Sequence, residues 1–216
     1  MTPITYDLLN RLPKVELHCH LDGCLRPESM LEVADQNGIS LPLNNVAELD
    51  SFLRIGKKRG TLEDYLKRFD ITLSVMQTPE SLTRFAYELI EDVARENVRY
   101  LEVRYSPILH TKHGMTLEEA VESVLLGLKN GEKDFGVKSG IIVCGIRSIS
   151  PAISLKLADL SVQYKNRGVV GFDLAGAEEN FPAKEHREAF YLIRNNNINA
   201  TIHAGEAFGP ASIHQA

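Results

Sequence analysis

Five short apolar runs, separated by helix-length amphipathic segments, constrain this 216-residue chain more than any other feature. They fall at residues 15–20 (VELHCH), 98–105 (VRYLEVRY), 140–147 (GIIVCGIR), 169–175 (VVGFDLA) and 198–204 (INATIHA). Runs of this length between turn residues read as strands covered on both faces. Parallel strands need long crossovers, which the intervening segments supply as helices. Pro27 opens one that stops at Gly38, with Pro in the first turn and Gly past the end, as helix termini prefer. Others are predicted near residues 48–55, over 61–76 with Thr61 as cap, and from Pro79 to about 97. The last carries Leu82, Phe85, Leu89 and Val93 on one stripe. Thr116 and Glu119 form a capping box for a helix to about residue 135. Pro151 opens the next, residues 183–196 make another, and Pro210 starts the last. This β/α alternation is α/β architecture, either an open doubly wound sheet or a closed barrel. No dinucleotide-binding or Walker loop follows any strand. The nearest match, residues 131–139, inserts a valine and lies at a helix end.

The formal net charge of -5 argues against a surface that tracks phosphates, so no nucleic-acid partner is expected. The basic run Lys57-Lys58-Arg59 reads as a solvated loop before a helix. Cys19, Cys24 and Cys144 show no C-x-x-C spacing, which fits neither a disulfide framework nor a cysteine metal site and points to a reducing compartment. The first residues lack a basic-then-apolar leader. No stretch reaches the ~18 apolar residues of a membrane span. A soluble cytoplasmic chain is expected, without membrane contact. Nothing in the pattern sets an oligomeric state.

His18 and His20 are the sharpest chemical feature. Alternate residues of a strand share a face, so H-x-H puts both imidazoles on one side, with Cys19 turned into packing on the other. Such a pair needs a common partner, and zinc is the commonest. His203 ends the fifth run at the same level, so three imidazoles from two strands could make one metal site. Glu206 follows three residues later, past Gly205, where a carboxyl group could reach a substrate without ligating the metal. Asp22, in an Asp-Gly turn, is placed to accept hydrogen bonds at the same mouth. Gly176, after Asp173 at the end of the fourth run, lets its backbone approach a flat ligand. His110, His113, His186 and His214 are expected to be merely solvated.

The segments KVELHCHLDGCLRP, YLEVRYSP, DLAGAEE and TIHAGEAFGPASI resemble the adenosine deaminase family in content, order and spacing, over the chain from about Lys14 onward. The resemblance implies a metal-dependent (β/α)8 TIM-type barrel, of which this chain supplies about the first five β/α units. It implies zinc-dependent hydrolysis of adenosine and 2'-deoxyadenosine to inosine and 2'-deoxyinosine plus ammonia. One zinc per chain would sit on His18, His20 and His203, with Glu206 as proton donor. Asp22 would contact the ribose and Gly176 the purine, with His20 also against this small-molecule nucleoside. The HLDG motif favours adenosine over adenine deaminases, which tend to read HLEG, and over methyl-AMP deaminases, which tend to read HLNG. Ala177 departs from vertebrate relatives, which often carry an acid there. The family pattern also has a histidine on a sixth strand and paired aspartates on an eighth. Residues 1–216 are therefore expected to be the N-terminal part of a single barrel, lacking its C-terminal strands and inactive alone. A deaminase of adenine or a modified AMP, or a truncated inactive chain, are the alternatives.

Overall fold

The computed structural model describes residues 4–54 and 62–216. The basic run at Lys57–Arg59, the expected cap Thr61 and Ile55 lie outside them. A parallel sheet takes the strands in chain order, β1 (Lys14–His20), β2 (Val98–Tyr105), β3 (Lys138–Ile146), β4 (Val169–Ala175) and β5 (Asn199–Ala200). A doubly wound sheet reverses direction at a switch point, whereas a (β/α) barrel adds each strand beside the last. The unreversed order therefore decides for five units of a (β/α) barrel. Among the described residues β1 and β5 are the two edges, and Val15 and Leu17 stand more than half exposed on β1.

The helices are α1 (Tyr6–Arg11), α2 (Pro27–Gln36), α3 (Val46–Leu53), α4 (Leu62–Ser74), α5 (Pro79–Arg95), α6 (Leu117–Phe135), α7 (Pro151–Gln163), α8 (Arg187–Asn195) and α9 (Gly209–Gln215). α1, absent from the sequence expectation, is a single short amphipathic turn capped by Thr5. The Thr116–Glu119 capping box forms as expected. The segment 183–196 divides into a 3-10 turn, Ala183–His186, and α8. No described helix is long and apolar enough to cross a membrane.

The expected strand over 198–204 is the main departure. Only Asn199 and Ala200 complete the ladder, opposite Gly171 and Phe172. Backbone bonds nevertheless continue from Thr201 N to Phe172 O and from His203 N to Leu174 O. Beyond Ala200 the pairing is limited to these two bonds, so the segment runs beside β4 without becoming a full strand.

Strand alternation sorts the side chains. Leu101, Val103 and Tyr105 belong to the main core, and the Tyr105 hydroxyl donates to the Ala120 carbonyl on α6. Phe172 meets Phe190 of α8. The opposite face of the same strands carries Arg104 and Asp173, both buried. Apolar side chains thus bind the helix layer, and the other face is left for chemistry.

α5 and α6 pack closely because α6 presents glycine at the contact. A Cβ on Gly127 would stand 2.2 Å from the Thr83 carbonyl oxygen and 2.8 Å from the Ala86 Cβ. Real Cβ atoms do not come that near a backbone oxygen, so the helices would have to separate. Gly127→Ala should therefore destabilise the protein by about 1–3 kcal/mol, although alanine is the better helix former. Equilibrium unfolding in urea checks this, and an unchanged midpoint would contradict the close packing.

Candidate metal centre

His18 and His20 project from the end of β1 toward His203. The three Nε2 atoms form a triangle with sides of 3.2 Å (His18–His20), 2.8 Å (His18–His203) and 3.0 Å (His20–His203). Three ring nitrogens facing one point at these separations fit a shared cation. Nitrogens bound at about 2.0–2.1 Å to one tetrahedral ion lie at comparable separations. Among the described residues this is the one His/Cys/Asp/Glu cluster with metal-holding geometry. Burial, and then the neighbouring His203 and His18, lower the His20 pKa to about 4. Burial, then Arg104 and His203, lower that of His18. Both shifts favour the neutral imidazole, the form that binds metal.

The third imidazole is oriented from behind. Asp173 is fully buried, and its Oδ2 lies 2.8 Å from His203 Nδ1. The ring N–H is not aligned for a linear hydrogen bond, so this is chiefly an electrostatic contact. It leaves Nε2 facing the cluster. Thr201 Oγ1 donates to Asp173 Oδ1 at 2.8 Å, and Arg104 Nη1 stands 3.3 Å from Oδ2. Burial alone raises the Asp173 pKa, but His203, the Thr201 hydroxyl and Arg104 outweigh it and hold it at about 2. Arg104 also donates to the Leu17 carbonyl on β1 at 2.8 Å. Arg147 donates to the His203 carbonyl at 2.6 Å.

A cavity of about 410 Å³ opens over the imidazoles and is lined by every residue singled out from the sequence: His18, His20, His203, Asp22, Gly176 and Glu206. Asp22 is 7% exposed, and its Oδ1 has no hydrogen-bond partner among the described residues. Burial raises its pKa to about 7. Glu206 is exposed at the rim. Gly205 makes the bend that carries it there, with φ 87°. Leu73, Leu109 and Ile146 add an apolar wall. Leu73 comes from α4, whose role at the mouth the sequence pattern did not show. A larger surface groove between α5 and α6, about 730 Å³, is lined by Thr83, Arg84, Glu122 and Asp134 and holds no ligand cluster.

Two expectations about other residues need correction. His110 and His186 are buried rather than solvated. His110 Nδ1 lies 2.9 Å from the Met76 carbonyl, and His186 lies between Ser154 Oγ and the Arg147 carbonyl. Both polar rings are used to join backbone segments. His113 and His214 are exposed, as expected. Cys19 packs against the core edge as expected, and its Sγ also lies 3.4 Å from that of Cys24 without a disulfide.

The sequence model of the adenosine deaminase family matches residues 13–216, which contain all of this geometry. The chain belongs to the adenosine deaminase family. It is 45% identical over 218 residues to an adenosine deaminase of Mycobacterium ulcerans, covering 98% of this chain and 60% of the relative. The chain thus spans about 60% of the length of that curated relative. An amidohydrolase structure from Burkholderia ambifaria with bound Zn superposes with a TM-score of 0.81 at 27% identity, covering 94% of this chain and 56% of that one. An adenine deaminase from Arthrobacter aurescens gives 0.80 at 30% identity, covering 92% and 59%. His18 and His20 close β1 and His203 follows β5, so the triad lies at the C-terminal ends of the strands.

Asp173→Asn should keep the fold's hydrogen bond from Thr201 but weaken the hold on His203. Metal affinity is expected to fall by about 10–100-fold, and His20→Ala should abolish stoichiometric binding. Metal analysis after dialysis against graded chelator checks both, and wild-type retention in both variants would contradict the cluster.

Proposed function

We propose that this chain carries the metal, substrate and proton-donor residues of a zinc-dependent enzyme that hydrolyses adenosine and 2'-deoxyadenosine to inosine and 2'-deoxyinosine, releasing ammonia. The observation that carries the reading is the convergence of three imidazole Nε2 atoms on a cavity shared with Asp22, Gly176 and Glu206. Family membership and the bound Zn of the Burkholderia ambifaria amidohydrolase support it.

His18, His20 and His203 would hold the zinc, whose Lewis acidity activates water near neutral pH. Attack on C6 costs the purine its aromaticity. As the water oxygen bonds to C6, Glu206 gives its proton to N1 and offsets that cost. Of the water's two protons one goes to the amino group and one returns to Glu206, so the C6–N bond breaks, ammonia leaves and C6 becomes a carbonyl. The substrate-facing backbone at Gly176 accommodates the flat ring. The wall of Leu73, Leu109 and Ile146 excludes water from its faces.

The free Oδ1 of Asp22 bears on the substrate class. A buried acceptor without a partner is costly, and a ribose hydroxyl would satisfy it, whereas free adenine has no such donor. This favours a nucleoside over the substrate named for the Arthrobacter aurescens relative. The Ala177 departure leaves that preference resting on Asp22.

In the full-length protein, Glu206→Gln should reduce adenosine turnover by about 10²–10⁴-fold while metal content stays at the wild-type level. Ammonia release measured beside metal analysis checks this, and near-normal turnover would place the proton elsewhere. Adenosine should be preferred to adenine in kcat/KM, and Asp22→Ala should narrow that gap. Equal use of both substrates by the unmodified protein would remove the nucleoside assignment.

A further inference from the structure

Glu178 has a buried carboxylate, 3% exposed, whose bonding is spent on one loop and the helix that follows it. Its Oε1 accepts from the Gly205 amide and the Ser212 hydroxyl, both at 2.6 Å. Its Oε2 accepts from the amides of Ala207 at 2.6 Å and Phe208 at 2.8 Å. These bonds use the roughly four acceptor positions of a carboxylate. Glu178 is therefore unsuited to ligate a metal or take a proton from substrate.

The pattern has a centre. Gly205, Ala207 and Phe208 flank Glu206 on both sides, and residues 204–208 belong to neither helix nor strand. Their position thus depends on a side chain from elsewhere in the chain. Glu178 follows Gly176 and Ala177, which line the cavity. One side chain therefore ties the cavity wall to the loop that bears the acid. Arg147 reinforces the link by donating to the Phe181 carbonyl at 2.9 Å and the His203 carbonyl at 2.6 Å.

We infer that Glu178 is a positioning residue for Glu206, fixing the acid's place relative to the imidazole cluster through the amides on either side of it. The inference rests on the reading of Glu206 as proton donor. Burial raises the Glu178 pKa, but the Ser212 hydroxyl and the amides of Ala207, Phe208 and Gly205 outweigh it and hold it at about 2. A folded-state pKa lowered in this way gives a stabilisation that is complete above the ordinary carboxylate range and lost as pH falls toward 2. The clamp is therefore charged throughout the neutral range and contributes no limb to the rate profile there.

The test is a double-mutant cycle in the zinc-loaded full-length protein. Glu178→Gln keeps the size but turns an amide N–H₂ toward two amide donors. It should lower kcat for adenosine by about 10–100-fold, with KM within a factor of about three and metal content unchanged. The positions of the pH–rate limbs should not move. In a Glu206→Gln background the same change should cost little more, because the group it positions is already gone. Ser212→Ala, which removes one of the four bonds, should show a smaller loss with the same dependence on Glu206. If Glu178→Gln does not fold, Ser212→Ala and Glu178→Asp carry the cycle. A wild-type kcat in the Glu178 variants, or equal losses with and without Glu206, would overturn the inference alone. Wild-type turnover in Glu206→Gln by itself would instead overturn the donor assignment and this inference with it.

Discussion

The buried carboxylate of Asp173 holds the centre together. It takes a hydrogen bond from Thr201, faces His203 Nδ1, and pairs with Arg104, which in turn grips the Leu17 carbonyl. One charge thereby connects β1, β2, β4 and the segment that leads to His203. Burying an ion pair of this kind contributes little net stability, but removing one member leaves the other uncompensated at a cost of about 3–5 kcal/mol. The network is consequently present as a whole or lost as a whole. The direction of the third imidazole is fixed by the same groups that hold the strands in register.

This arrangement follows from parallel strands. All point the same way, so their C-terminal ends collect the turns that leave the sheet, and polar side chains can gather there without interrupting the apolar layer beneath the helices. β2 shows the division within a few residues: Val103 and Tyr105 are in the helix-facing core, while Arg104 between them serves the centre. The crossover from β1 to β2 adds α4, whose Leu73 turns the open strand ends into a cavity.

Much of this was legible in the sequence because its signals are local. H-x-H on a short apolar run fixes which side two imidazoles share, and proline, glycine and capping pairs mark helix ends. His18, His20, Asp22, Gly176, His203 and Glu206 were readable before the fold was known, but the apolar wall of Leu73, Leu109 and Ile146 was not. What was not legible depends on partners distant in sequence. Asp173 was seen as a strand-end acid, but its contact with His203 follows only from the pairing of β4 with the fifth run. Glu178 carries no local signal, and only the return of the chain at Gly205 shows which amides it holds. His110 and His186 were expected to be solvated, yet each is packed inside against backbone carbonyls. The fifth run, expected as a strand over 198–204, formed only a two-residue ladder with both residues exposed, since an apolar pattern does not report the number of neighbouring strands.

The spacing of the three imidazoles also bears on how the chain reaches this state. His18 and His20 are two residues apart, whereas His203 lies 183 residues beyond His20. The first pair is supplied by one strand; the third donor is connected to it through the four further strands of the sheet. An ion held by all three would act as a cross-link around that long loop, and the entropy of closing a loop grows only slowly with its length. The centre is complete only when the whole arc is in place, so an ion captured there would stabilise the assembled arc over every partly docked form.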